Sequence, residues 1–204
     1  MEIADRFFRS LRDLLQPGDS LAQVSDGLRP AGVLVPLRAC GNGVTVVLAR
    51  RTEQVPHHKG QVCFPGGSRD PGDRDLLATA LREAEEELGI RREEVELLGA
   101  MAPVETVTGF SIRPYVARIP GTAAFRLASF EVAEVFEVPL PLFGEFHRYR
   151  WADAVFRGRE SRVYFFDYGP HTIWGATARI LHDLAERISG TADGNGSAPP
   201  VERV

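Results

Sequence analysis

Apolar positions along this chain recur with two periods, one helical and one strand-like. Residues 1–15, MEIADRFFRSLRDLL, space Ile3, Phe7, Leu11, Leu14 and Leu15 as one helical face and predict an amphipathic helix. Residues 31–39 and 44–50, AGVLVPLRA and VTVVLAR, read as a hairpin with one face buried. A short strand over 61–64 leads into a Pro-Gly-Gly turn, and the Asp-, Gly- and Pro-rich stretch 68–75 is a loop. Residues 76–88, LLATALREAEEEL, contain no Gly or Pro and predict a helix. Asp75 caps it, and Gly89 stops it in the left-handed conformation that a Cβ disfavours. Its buried stripe is Leu77, Ala80, Leu81, Ala84 and Leu88. Residues 95–104 alternate poorly and predict a central strand. Pro114 within the strand 112–119 predicts an edge position or a bulge. FHRYRWA and RVYFFDY form a late hairpin around RGRES, and residues 171–188 a closing helix. Strands with one inserted and one late helix give an α/β fold.

Helical spacing also gathers charge. Glu83, Glu86 and Glu87 share one face, while Glu85 turns away. A solvated helix would interleave lysines among three such acids, and this one has none. Carboxylate oxygens suit Mg²⁺ or Mn²⁺, and such a cation would relieve their mutual repulsion.

Composition bounds the rest. The chain has 204 residues, 44% hydrophobic and 25% charged, which suits one domain with a full core. That domain is expected over 30–189, after a helix and connector at 1–29 and before a tail at 190–204 that is disordered by composition. A net charge of −4 without a basic face argues against nucleic-acid binding. No secretory signal or long apolar span is visible, so a cytoplasmic protein with no membrane association is expected. Cys40 and Cys63, in apolar strand-like settings, read as buried thiols.

The stretch REAEEELGI, from Arg82 to Ile90, resembles the box of the Nudix family, and Gly66 and Gly67 fit the glycines that open it. The loop between is one residue longer than usual, so the box's first acidic position falls on Arg74, between Asp73 and Asp75. That extra residue resembles the family branch that hydrolyses coenzyme A. So does the upstream run VLARRTEQVPHHKGQVCFPGG, in which Arg51, Thr52, Gly60 and Phe64 to Gly67 match the branch signature. Pro56 stands where that signature has a second arginine.

The resemblance implies a Nudix α/β/α sandwich around a mixed sheet, with an N-terminal and a C-terminal helix. It implies metal-dependent cleavage of the diphosphate of coenzyme A, or of its acyl form, to 3',5'-ADP and 4'-phosphopantetheine. Glu83, Glu86, Glu87 and the Gly66 carbonyl are the implied ligands of Mg²⁺ or Mn²⁺. Arg82 would orient a glutamate of the box. Glu83 or Glu134 would take the proton of the attacking water, with Glu137 second to Glu134. Arg50, Arg51, Lys59, Gly60 and Phe64 are the implied substrate contacts, the cations facing the 3'-phosphate. His57 and His58 could contact phosphates or face solvent. The alternatives are a Nudix hydrolase for ADP-ribose, a dinucleotide or a (d)NTP, and a ligand-sensing Nudix domain without catalysis. The partner is a small nucleotide in each case, and the oligomeric state is open, a homodimer included.

Overall fold

The computed structural model describes residues 2–18, 27–41, 43–54, 59–128, 130–156 and 158–190. The tail expected over 190–204 therefore falls almost wholly outside the described residues, as do Pro56, His57, His58 and part of the connector.

The chain opens with helix α1 (Glu2–Leu14), then forms strands β1 (Arg29–Cys40), β2 (Gly43–Arg51), β3 (Val62–Cys63) and β4 (Gly66–Ser68). Helix α2 (Leu76–Leu88) follows, then β5 (Glu96–Ala100), β6 (Val104–Glu105), β7 (Phe110–Ile119) and β8 (Val132–Pro139). Strands β9 (Tyr149–Phe156), β10 (Arg159–Tyr168) and β11 (His171–Trp174) precede helix α3 (Gly175–Ser189). The main sheet runs β3-β2-β1-β7-β5, with β4 on β1, β6 on β7 and β8 on β2. It is mixed: β1 pairs with β7 in parallel and with β2 antiparallel. The last three strands make a separate antiparallel sheet.

Strand alternation splits the core in two. On β2, Val46 and Leu48 join Val35 and Leu37 in a layer completed by Phe8 and Leu11 of α1 and by Ile180, Leu181 and Leu184 of α3. Val47 and Ala49 face the other way, against Ala80, Ala84 and Leu88 of α2. The expected α/β/α sandwich with its two flanking helices is thus the observed fold. Asp75 caps α2 by accepting from Ala78 N at 2.8 Å, and Gly89 ends it at φ 71°.

Several local expectations need correction. Strand β5 lies at the end of the sheet order, not in its middle. Its poor alternation arises because both faces are covered: Leu97 packs with the α2 layer, Leu98 belongs to the α1/α3 layer, and Ala100 bridges to Gln16. Conversely, β7 is internal despite Pro114. The Pro114 carbonyl accepts from Met101 N, so its missing N–H faces the gap where β5 has ended and β6 not begun. The closing helix starts at Gly175, because residues His171–Trp174 pair with β10. Cys40, at the end of β1, is exposed rather than buried. Ile3 is exposed, although Phe8 and Leu11 of the same helix are in the core. Among the described residues, no helix is long and apolar enough to cross a membrane.

Candidate active site

The acidic patch is graded in burial rather than uniformly exposed. Along α2, Glu87 is buried, Glu83 half-buried, and Glu85 and Glu86 exposed. Helix α2 lies against β1 and its partner β4, which carries Gly66 and Gly67. This contact turns Glu83 and Glu87 onto the glycine turn. Gly66 N donates to Glu87 Oε2 at 3.2 Å. At Gly67 a Cβ would stand 2.5 Å from Glu83 Oε1, so only glycine permits that carboxylate to come so close.

The charges are incompletely balanced. Glu87 Oε1 meets Arg51 Nη1 at 3.3 Å, while Arg51 Nη2 is 3.4 Å from Glu131 Oε2. Burial pushes the Glu87 carboxyl from 4.5 up to about 7, and the charges of Glu83 and Glu131 add to the rise against Gly66 N and Arg51. Burial likewise raises Glu83, opposed by Arg82 and assisted by Glu86 and Glu131. Buried oxygen donors with this much uncompensated charge fit a hard divalent cation.

Arg82 organises the exposed side. Its Nη1 lies 2.9 Å from Glu83 Oε1 and 2.9 Å from Glu86 Oε2. Its other edge grips Asp73, with Nε donating to Oδ1 at 3.2 Å and Nη2 to Oδ2 at 3.1 Å. Asp73 is 8% exposed and also accepts from Asp70 N and Thr79 Oγ1. The Arg82 guanidinium, first among its partners, holds the Asp73 carboxyl near 2 and is itself pushed upward by that hydrogen bond. Of the two acids that flank the box position at Arg74, Asp73 is thus the one that meets Arg82. Arg74 turns outward to pair with Asp75 at 2.9 Å.

The remaining candidates divide. Arg51 is at the patch. Arg50 instead donates from Nε to Glu134 Oε1 at 2.6 Å, and His171 Nε2 lies 3.6 Å from the same oxygen. Glu137 is further along β8, held by Arg38 at 2.6 Å. The acid of this segment whose charge is felt by Glu83 and Glu87 is Glu131, which the sequence reading missed. Only the pairing of β8 with β2, which aligns Val132 with Arg51, brings Glu131 there. Lys59 is exposed at the end of its loop, beside Gly60. Phe64 is 4% exposed within the α1/α3 core layer. The expected substrate contact thus falls on a side chain that this core layer covers, next to the Pro65–Gly66 turn.

Comparison with known proteins bears on the family and the fold. Residues 28–154 match the NUDIX domain. The chain is 42% identical over 166 residues to "Uncharacterized Nudix hydrolase NudL" of Photorhabdus laumondii, covering 81% of this chain and 88% of that one. It is 42% identical to the protein of the same description from Yersinia enterocolitica, covering 78% and 81%. Among solved structures, a C. elegans Ap4A hydrolase binary complex superposes with a TM-score of 0.54 at 17% identity, over 79% of this chain and 97% of the other, a likeness of fold.

Proposed function

The chain belongs to the Nudix hydrolase family, and from that premise we propose that it cleaves the diphosphate of coenzyme A, or of acyl-coenzyme A, to 3',5'-ADP and 4'-phosphopantetheine (or its acyl form). The observation that carries this reading is the convergence of Glu83 and Glu87 on the Gly66–Gly67 turn. That turn ends the coenzyme A-type signature and precedes the one-residue-longer loop that delivers Asp73.

Glu83, Glu86 and Glu87, with the carbonyl of Gly66, would hold Mg²⁺ or Mn²⁺. A divalent cation bound there neutralises diphosphate charge and lowers the pKa of a bound water. The chain's own residues do the rest. Asp73 fixes Arg82, and Arg82 holds Glu83 and Glu86 in register. Glu83 takes the proton of the attacking water, with Glu134 and now Glu131 as the other candidates for that task. Arg51, beside Glu87, is placed to exchange a carboxylate for substrate phosphate. Lys59 and Arg50 are the further cations for the 3'-phosphate.

One observation favours a second reading, hydrolysis of another nucleoside diphosphate compound: Arg50 and Arg51 are both engaged by acids of the chain itself. Relative rates on coenzyme A and dephospho-coenzyme A decide between the two. The 3'-phosphate carries nearly two charges, so coenzyme A should be strongly preferred. Arg51→Ala, Arg50→Ala or Lys59→Ala should narrow the gap by about 1.5–3 kcal/mol. Equal rates on the two, or a faster rate on ADP-ribose, would transfer the protein to the second reading.

A further inference from the structure

Helix α3 carries a second cluster of potential ligands, on the side of the sheet away from α2. Ile180, Leu181 and Leu184 of α3 pack in the layer opposite the one that holds Ala80 and Ala84 of α2. His182 and Glu186, one turn apart, share a face of α3, and Asp183 adjoins them. His182 is 7% exposed, walled by the rings of Tyr164, Tyr149 and Phe146 at 4.4, 5.0 and 5.2 Å between centroids.

The Nδ1 of His182 is fully buried and has no hydrogen-bond partner among the described residues. It faces Glu186 Oε2 at 3.6 Å and Asp183 Oδ1 at 3.8 Å, beyond hydrogen-bond range for both. One donor atom from each of the three residues lies within 4.8 Å of the others. A buried imidazole nitrogen is expected to be satisfied. Here the spacing is too wide for a hydrogen bond and close to what one ion spans. Ligands about 2.0–2.2 Å from a tetrahedral ion stand roughly 3.3–3.6 Å apart. The exposed Glu186 side chain can close the small remainder. Asp183 is already oriented, since Arg179 Nε donates to its two oxygens at 2.7 and 2.9 Å, as outer partners commonly hold a ligating carboxylate.

We propose that His182, Asp183 and Glu186 form a binding site for a transition-metal cation of the zinc type, separate from the glutamate patch. One imidazole nitrogen with two carboxylates selects Zn²⁺, Co²⁺ or Ni²⁺ over Mg²⁺, which the all-oxygen patch suits better. The ion would enter from the solvent side, past Glu186, and complete its coordination with water. It would join two successive turns of α3 beside the aromatic wall of Tyr149, Tyr164 and Phe146.

The test is Co²⁺ titration of the full chain in excess Mg²⁺, followed by visible ligand-field absorption, with Zn²⁺ calorimetry in parallel. One ion per chain is expected. Glu186→Gln, at an exposed position compatible with folding, should weaken binding by about 10–100-fold or more, and His182→Gln should abolish it. Glu83→Gln should leave it intact, and Glu186→Gln should leave Mg²⁺-dependent hydrolysis unchanged. No binding in the presence of Mg²⁺ would overturn the proposal. So would binding that survives Glu186→Gln, or binding that is lost in Glu83→Gln.

Discussion

Replacing Glu87 with glutamine probes the strain at the centre of the patch. The carboxyl titrates at about 7 in the folded chain against 4.5 ordinarily, chiefly through burial and then through the charge of Glu83. Its folded pKa is raised, so between pH 4.5 and 7 the native state binds the proton more tightly than the unfolded chain does. Stability therefore falls as pH rises through that window and levels off above it. At about 1.4 kcal/mol per tenfold change, the gap corresponds to roughly 3 kcal/mol. Glutamine removes the charge, keeps an acceptor for Gly66 N, and gives up the 3.3 Å ion pair with Arg51. In EDTA at pH 8, Glu87→Gln should therefore be more stable than the parent by about 1–3 kcal/mol. For a chain of this length, that is a melting temperature higher by about 3–9 °C. At pH 5 the two should nearly coincide. Thermal melts at both pH values, with added Mg²⁺ expected to stabilise only the parent, measure the difference directly. A variant that melts lower at pH 8, or a difference independent of pH, would refute the burial argument and make Glu87 a structural ion-pair partner.

Further predictions follow from the neighbours of Glu87. Asp73→Asn should cost about 2 kcal/mol at pH 7, from a carboxyl held near 2 against 3.8, and should also lower turnover by freeing Arg82. That contribution is present above about pH 4 and disappears as pH falls toward 2, a trend that urea denaturation across acid pH can follow. Glu86→Gln, at a side chain 59% exposed, should change stability by less than about 0.5 kcal/mol yet reduce kcat/KM by about 3–5 kcal/mol in transition-state stabilisation. A large loss of stability with intact activity would reverse its assignment.

What could be read from the sequence was local. Helix α2, its Asp75 cap and its Gly89 stop depend on neighbours within a few residues, and the structure has them where expected. The grouping of Glu83, Glu86 and Glu87 follows from the same helical geometry. The misses are non-local. Glu131 reaches the patch through strand pairing between residues some 80 positions apart. Of the two acids beside Arg74, the path of the longer loop decides that Asp73 is the one that meets Arg82. Pro114 is internal because a gap between two other strands accommodates it. Phe64 is buried because α3 and α1 cover that side of the sheet.

The most direct measurement of the account is product analysis after incubating the purified protein with coenzyme A and Mg²⁺ or Mn²⁺, alone and with excess EDTA, beside Glu86→Gln. Stoichiometric 3',5'-ADP and 4'-phosphopantetheine, absent in EDTA and strongly reduced in Glu86→Gln, is the expected result. Full turnover in excess chelator, or intact coenzyme A under conditions where another nucleotide is hydrolysed, would contradict it.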